Sequence, residues 1–194
     1  MARSSPLSLS ATKLFDLRPT RPTVTPAPQL AIHCGSAADV ARGIRYACDN
    51  GISIVPRGGG HCFAGRSSTV GILLDLTALN RIHMADDGCA IIGGGACLAQ
   101  AYSSLNICGR TPTGRLRRGV GIAGLALGGG IRLLGCQYDL TCDRLVGAEV
   151  VLADSRIVSC DAERKPELFW ALRGAAGGQV GVVTSLIFDT IPQP

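Results

Sequence analysis

Three consecutive glycines run directly into a histidine in the first third of the chain, and this is the segment best suited to chemistry. Gly58, Gly59 and Gly60 follow Arg57 after a short apolar stretch, so the backbone there is free to approach a ligand closely. Successive amides that point the same way form a concave site suited to a pyrophosphate. The neutral imidazole of His61 is a nucleophile that can bond covalently to a neighbouring group. An ordinary turn with a structural histidine is the alternative that the spacing leaves open.

Two further glycine-rich segments lie later in the chain. Gly119–Gly124 matches the GxGxxG pattern of dinucleotide-binding proteins, but basic residues 115–118 precede it where a Rossmann unit has an apolar strand. The segment continues to Gly130 and is expected to lie flat against a ligand or a neighbouring element, with packing in the core as the open alternative. The other segment is Gly174–Gly181. Three such loops, each beside an apolar strand or helix, favour one extended anionic cofactor over three unrelated turns.

The elements that must position these loops mix strands and helices, which predicts an α+β fold. Residues 30–32 predict a strand, Ser36 and Asp39 predict a helix start, and Gly51 predicts the end of that helix. Residues 52–55 predict a second strand that ends at Pro56, which completes a β-α-β unit. Downstream, the apolar pattern predicts strands at 72–74 and 90–92, a helix at 98–107, a hairpin of 146–152 and 156–159, a helix at 167–172 and a strand-rich run at 179–187.

Four segments together resemble a known family, over about residues 30–190 and in register. The family is that of the vanillyl-alcohol oxidase/p-cresol methylhydroxylase (PCMH-type) flavoproteins, in its berberine-bridge-enzyme-like and hydroxynicotine-oxidase-like branch. Pro56–Gly65 resembles its pyrophosphate loop, Val120–Gly130 its flavin-contacting stretch, and Leu168–Gly174 with Gly181–Ser185 its closing motif. The resemblance implies the FAD-binding domain of that family, built from two α/β lobes.

The same resemblance implies FAD as the cofactor and gives His61 a specific role. In this family the histidine after the triple glycine is linked to the 8α-methyl group of the flavin, so His61 is the implied covalent anchor. The implied cofactor-binding residues are Arg57, Gly58, Gly59, Gly60, His61, Cys62, Gly65, Val120, Gly121, Gly124, Gly128, Gly129, Gly181, Val182 and Val183. The loop amides of Gly58 to His61 would hold the pyrophosphate, the five residues from Val120 to Gly129 in this list would flank the flavin, and the last three would lie near the adenosine end.

One departure from the family pattern concerns the attachment of the cofactor, and another concerns the substrate site. Many close relatives carry a second covalent anchor, a cysteine, where this chain has Arg117–Gly119, so we expect a single attachment through His61. The family's substrate domain begins where this chain ends, at Pro194, so we expect a truncated domain without a substrate site. Its expected parts are a flexible tail at 1–28, a first lobe at 29–75 and a second lobe at 76–194. A small-molecule substrate would bind only if the missing domain were supplied.

Three functional hypotheses follow from these observations. The first is the FAD-binding domain of an oxidoreductase that, when complete, oxidises an alcohol, amine or sugar carbon by hydride transfer to flavin. The second is a truncated FAD-binding remnant that catalyses nothing. The third is a nucleotide-binding module without flavin, built on the GxGxxG match. No catalytic residue is assigned, because no serine lies in a GxSxG context.

Composition argues against several other classes of protein. The formal net charge is +5, but no aromatic residues interleave with the basic stretch at 115–118, so a nucleic-acid partner is not expected. The nine cysteines form no CxxC pair and no histidine stands at zinc spacing, which predicts no metal site and mostly buried thiols. No apolar stretch fits a secretory signal or a membrane span, so we expect a cytoplasmic protein.

Overall fold

A computed structural model describes residues 27–111, 117–131, 140–175 and 177–192 of the chain. The described strands are β1 (Leu30–His33), β2 (Ile54–Arg57), β3 (Ile72–Asp75), β4 (Ile82–Met84), β5 (Cys89–Gly93), β6 (Arg110–Thr111), β7 (Leu145–Val151), β8 (Ile157–Asp161), β9 (Val182–Asp189) and β10 (Ile191–Pro192). The described helices are α1 (Ala37–Asn50), α2 (Leu98–Asn106), α3 (Ile122–Leu127) and α4 (Pro166–Leu172), with a 3-10 helix at Thr141–Arg144. The α+β class expected from the sequence is confirmed.

The first sheet is parallel and carries the triple-glycine loop. Its three strands lie in the order β1-β3-β2, and Asp75 at the end of β3 pairs in register with His33 of β1 and Arg57 of β2. Parallel strands place their carboxyl ends at one edge of a sheet. The loop that follows Arg57 therefore leaves the sheet beside the ends of both neighbouring strands.

Helix α1 begins and ends where single residues dictate. The Ser36 hydroxyl accepts a hydrogen bond from the Asp39 amide at 3.2 Å, and the Asp39 carboxylate accepts one from the Gly35 amide at 3.0 Å. Gly51 ends the helix in the left-handed conformation with φ 63°, which glycine adopts without strain. These contacts confirm both helix boundaries that the sequence predicts.

The second sheet is antiparallel, with the strand order β4-β5-β9-β7-β8. One of its faces is covered by helices α2, α3 and α4, which share a core with the sheet. Side chains that are fully buried in this core include Ile92, Leu98, Leu105, Ile122, Leu172 and Leu186. A two-stranded sheet of β6 and β10 lies apart from both larger sheets.

Helix α1 joins the two sheets through a second core. Val151 at the end of β7 and Val182 at the start of β9 belong to the same buried cluster as Val40 and Ile44 of α1. That cluster also contains Ile72 and neighbouring side chains of the parallel sheet. The loop that leaves β2 is therefore held in a fixed relation to the start of β9.

Several sequence-based boundaries differ from the structure. β2 covers Ile54–Arg57 rather than 52–55, because its pairing with β3 continues through Arg57. β1, α1 and β2 form the expected parallel crossover, but β3 inserts between the two strands. The segment after Gly119 was expected to lie flat, whereas its residues Ile122–Leu127 form α3 and bury one side in the core. Residues 132–134, the end of the glycine-rich apolar stretch 119–134 of the sequence, lie outside the described part of the chain.

The expectation that most cysteines are buried was wrong. Of the eight described cysteines only Cys34, Cys142 and Cys160 are buried, whereas Cys48 and Cys62 are among the exposed ones. Cys48 lies on the outer side of α1 and Cys62 lies in the loop after the triple glycine. No pattern in the sequence separates these positions from the buried ones.

Thiol reactivity should follow this difference in burial. Burial, with smaller contributions from Asp39 and Asp75, raises the pKa of the Cys34 thiol to about 12. Because the thiolate is the nucleophile, we expect iodoacetamide at about pH 8 to modify Cys48 and Cys62 in the native chain but to leave Cys34 unmodified. Peptide mass spectrometry gives the modified sites. All nine cysteines should react in denaturant, and native modification of Cys34 at the rate of Cys48 would contradict the burial.

Candidate functional site

The loop after β2 has the backbone shape that its glycines allow. The Arg57 carbonyl accepts a hydrogen bond from the Leu76 amide at 2.9 Å, which fixes the start of the loop at the edge of the parallel sheet. Gly60 and Gly65 have φ angles of 69° and 72°, in the left-handed region that other residues rarely adopt. The loop thus turns twice between β2 and β3, and His61 and Cys62 are exposed between the two turns.

Backbone meets backbone where this loop crosses the second glycine-rich segment. A Cβ atom placed on Gly59 would lie 2.2 Å from the Gly121 amide nitrogen and 2.7 Å from the Gly119 carbonyl oxygen. A Cβ atom on Gly121 would in turn lie 2.5 Å from the Gly59 nitrogen. Neither position can hold a side chain without displacement of the other loop, so this close approach explains both glycines.

The second loop is held in place by main-chain hydrogen bonds to the start of α2. The Leu98 amide donates to the Val120 carbonyl and the Ala99 amide to the Arg118 carbonyl, each at 2.9 Å. The Ile122 amide then donates to the Ala96 carbonyl at 3.0 Å, and α3 begins at that residue. The loop is thus positioned by a helix that belongs to the main core.

His61 lies against this second loop. Its side chain is exposed, and a Cβ atom on Gly119 would lie 3.0 Å from the His61 Nε2 atom. The imidazole therefore stands directly beside the crossing of the two glycine loops. An exposed imidazole in this position is available as a nucleophile toward a group bound at the crossing.

The last three of the predicted cofactor-binding residues, Gly181–Val183, approach the first loop through Gly94. The Gly94 amide donates to the Thr184 carbonyl at 2.8 Å, and a Cβ atom on Gly94 would lie 2.3 Å from the Val183 carbonyl oxygen. On the other side, a Cβ atom on Gly58 would lie 3.3 Å from the Gly94 carbonyl oxygen. The side chains of Val182 and Val183 are buried, and the Val183 carbonyl faces this junction.

Gly94 is the residue that sequence reasoning missed. Gly93–Gly95 follow β5 as a run of three glycines, in the same way that Gly58–Gly60 follow β2. Its similarity to the first loop was the signal that could have identified it.

Gly124, Gly128 and Gly129 lie further along the second segment. A Cβ atom on Gly124 would meet no atom of the described residues within 4 Å, so this side of α3 is not covered by them. Gly128 and Gly129 follow the end of the helix, and Gly129 has φ 93°. The six residues of α3 rise about 9 Å at about 1.5 Å each, so these glycines extend the surface well beyond the loop crossing.

The electrostatic character of the crossing is positive. Among the described residues, none forms an ion pair or a hydrogen bond with the side chains of Arg57, Arg117 or Arg118. Within the same part of the chain, no group of three or more His, Cys, Asp or Glu residues is placed to hold a metal ion. Backbone amides and unpaired guanidinium groups together suit an anionic ligand.

Comparison with known proteins decides the family. Residues 28–161 match the FAD binding domain family. The chain belongs to this family. The matched region includes the first lobe predicted from the sequence and the larger part of the predicted second lobe, and the crossing of the two glycine loops lies there as well.

Two relatives of this FAD-binding domain are named as oxidases. It is 42% identical over 161 residues to (R)-6-hydroxynicotine oxidase of Paenarthrobacter nicotinovorans. This alignment covers 82% of the chain and 35% of the oxidase. It is 35% identical over 165 residues to glucooligosaccharide oxidase of Sarocladium strictum. This alignment covers 82% of the chain and 32% of that protein. The chain thus spans about a third of the length of the relatives that it matches.

Solved structures give the same fold. The crystal structure of 6-hydroxy-D-nicotine oxidase from Arthrobacter nicotinovorans superposes with a TM-score of 0.83 at 40% identity, over 86% of this chain and 37% of that one. A structure of glucooligosaccharide oxidase from Acremonium strictum, described as containing 6-S-cysteinyl, 8α-N1-histidyl FAD, superposes with a TM-score of 0.80 at 33% identity, over 84% and 35%. The PCMH-type FAD-binding fold expected from the sequence is confirmed.

The close approach of the two loops gives a direct test by substitution. Gly59→Ala should lower the free energy of unfolding by about 1–3 kcal/mol, because the new methyl group overlaps the Gly121 backbone. Gly177→Ala is the control, since a Cβ atom there meets nothing within 4 Å, and it should change stability by less than about 0.5 kcal/mol. Urea denaturation measures both. Equal stabilities of the two variants would show that the loops do not cross as described.

Proposed function

We propose that this domain binds FAD with its diphosphate at the crossing of the two glycine loops and with its flavin linked to His61. The observation that carries the proposal is the contact of Gly59 with Gly121, beside which the His61 imidazole lies against Gly119. A backbone cradle that leaves no room for a side chain fits a ligand that is held by amide groups. The unpaired guanidinium of Arg57 supports a negatively charged group at that point.

The proposed contacts extend along both sides of the crossing. The first loop would hold the diphosphate, with Arg57, Gly58, Gly59, Gly60, His61, Cys62 and Gly65. The second segment would flank the flavin, with Val120, Gly121, Gly124, Gly128 and Gly129, and the third would lie toward the adenosine, with Gly181, Val182 and Val183. The buried side chains of Val182 and Val183 restrict their part to main-chain contacts.

A single covalent link is proposed, through His61. The structure of glucooligosaccharide oxidase is described with both cysteinyl and histidyl attachments. In this chain Arg117, Arg118 and Gly119 stand where we infer the second anchor of such relatives, so no thiol is available at that place. Overall, an imidazole N–H and one methyl C–H would be replaced by an N–C bond, while dioxygen takes up the two hydrogens as hydrogen peroxide.

We propose that oxidation of a substrate requires a substrate domain in addition to this domain. Bound flavin supplies hydride acceptance, and the protein around it supplies binding, orientation and exclusion of water. The hydroxynicotine and glucooligosaccharide oxidases, whose names indicate amine and sugar substrates, are about three times as long as the matched region. We therefore propose cofactor binding as the function of this domain, with oxidation of an alcohol, amine or sugar carbon as the activity of an assembly that also carries a substrate domain. FAD binding without catalysis is the alternative for the domain by itself.

The His61 link is tested by the fate of the flavin on denaturation. The chain expressed with FAD should keep yellow absorbance after acid precipitation, and mass spectrometry should place one flavin on the peptide that contains His61. His61→Ala should release all flavin on denaturation, because the nucleophile is gone, while it still binds FAD reversibly in the native state.

Two other results separate the alternatives. If the flavin of the unsubstituted chain is released on denaturation, FAD binding still stands but the covalent link is rejected. Absence of any flavin after reconstitution would reject the proposed function. Turnover of an alcohol or sugar by the chain alone would contradict the proposal that oxidation requires further protein surface.

The open side of α3 gives a prediction in which stability and affinity change differently. Gly124→Ala should leave the melting temperature unchanged or raise it, because alanine favours a helix over glycine by up to about 1 kcal/mol and no atom lies within 4 Å of the new methyl group. The same methyl group would occupy the side proposed to contact the flavin, so FAD affinity should fall. Calorimetry gives the melting temperature and flavin fluorescence gives the affinity. Unchanged FAD affinity would remove Gly124 from the proposed site.

A further inference from the structure

Three polar side chains form a row across the carboxyl edge of the parallel sheet. His33 of β1, Asp75 of β3 and Arg57 of β2 are partners in register, in the strand order β1-β3-β2. Residues in register on neighbouring parallel strands point to the same face of a sheet. The carboxylate of Asp75 thus stands between an imidazole and a guanidinium group, and either could be its partner.

The Asp75 carboxylate is engaged by His33 and Thr77 rather than by Arg57. Its Oδ2 atom lies 2.8 Å from His33 Nδ1, and its Oδ1 atom accepts hydrogen bonds from the Thr77 amide at 3.0 Å and the Thr77 hydroxyl at 2.7 Å. Asp75 is only 6% exposed, whereas the side chain of His33 is 36% exposed. These contacts give a buried carboxylate the hydrogen bonds that burial requires.

Arg57 therefore stays without an acidic partner, although it stands next to a buried carboxylate. It is half-buried, and within the described part of the chain its side chain forms no ion pair or hydrogen bond. A partly desolvated cation without a counter-charge is unfavourable until an anion binds to it. Arg57 directly precedes Gly58, the first residue of the loop proposed to hold the diphosphate.

We propose that His33 is a positioning residue for cofactor binding: it occupies the Asp75 carboxylate and thereby keeps Arg57 available for the diphosphate. This inference rests on the proposed function, because it assigns the anion that Arg57 awaits. In the absence of His33, Asp75 would turn its free oxygen to Arg57, and the ligand would have to compete with that ion pair. The effect requires a carboxylate at position 75 and a cation at position 57.

The test measures FAD affinity in the full chain carrying His61→Ala, where binding is reversible. His33→Leu should raise the FAD dissociation constant about tenfold or more, equivalent to the loss of one charge-assisted contact. His33→Arg should keep the original affinity, because its guanidinium group can again donate a hydrogen bond to the Asp75 carboxylate. Addition of Asp75→Asn to His33→Leu should restore affinity, because the amide still accepts from Thr77 but does not neutralise Arg57.

The restoration by Asp75→Asn distinguishes this role from a merely structural one, which a second substitution in the same buried cluster would worsen. If His33→Leu prevents folding, Thr77→Val frees part of the Asp75 Oδ1 atom and should give a smaller loss in the same direction. If the His33→Leu or Thr77→Val variant binds FAD with the same affinity as its parent, this inference is overturned while the proposed function stands. A parent chain that binds no FAD would overturn the proposed function, and this inference with it.

Discussion

The structure of this domain depends on one contact, the crossing of two main-chain segments at Gly59 and Gly121. The backbones approach so closely that a Cβ atom on either glycine would lie within 2.5 Å of the other segment. A contact of this kind has no side chains to adjust, so its geometry is set entirely by the elements that carry the two segments. β2 fixes one through its pairing with β3, and the hydrogen bonds from the start of α2 fix the other.

The two cores keep those elements in register. Helix α1 packs on the parallel sheet and also against Val151 and Val182 of the antiparallel sheet, so one buried cluster spans both. The other core carries α2 and α3 on the far side of the antiparallel sheet. A cradle made of backbone amides needs this support, because hydrogen bonds to a diphosphate are effective only within a few tenths of an ångström. Rigid packing behind the loops thus takes the place of adaptable side chains within them.

Local signals in the sequence predicted the helices and strands. The contacts between them depend on long-range strand pairing, which the sequence does not show. Ser36 and Gly51 bound α1 because a cap and a left-handed turn are properties of single residues. The helix after Gly119 could not be recognised from the sequence, because the glycines in that segment lower its helix propensity. α3 forms through its packing on the core instead. The glycine loops could be identified as candidates from the sequence, but their crossing, the contact of Gly94 with both Gly58 and Val183, and the pairing of His33 with Asp75 depend on strand order. That order is β1-β3-β2, with the third strand between the first two, and nothing local to any strand encodes it.

A binding site made of glycine amides also explains why charged and nucleophilic groups stand at its margin. Amide groups supply partial positive charge in a well-defined direction. They carry no formal charge, however, and they discriminate little between one anion and another. Selectivity and retention must then come from side chains next to the cradle. In this domain Arg57 enters the loop and His61 leaves it, so a cation and a nucleophile stand at its two ends. If His61 is linked to the ring as proposed, the amides need to hold the diphosphate only until the bond forms. The reversible contacts can then be set for correct orientation rather than for tight binding, because the covalent bond prevents dissociation.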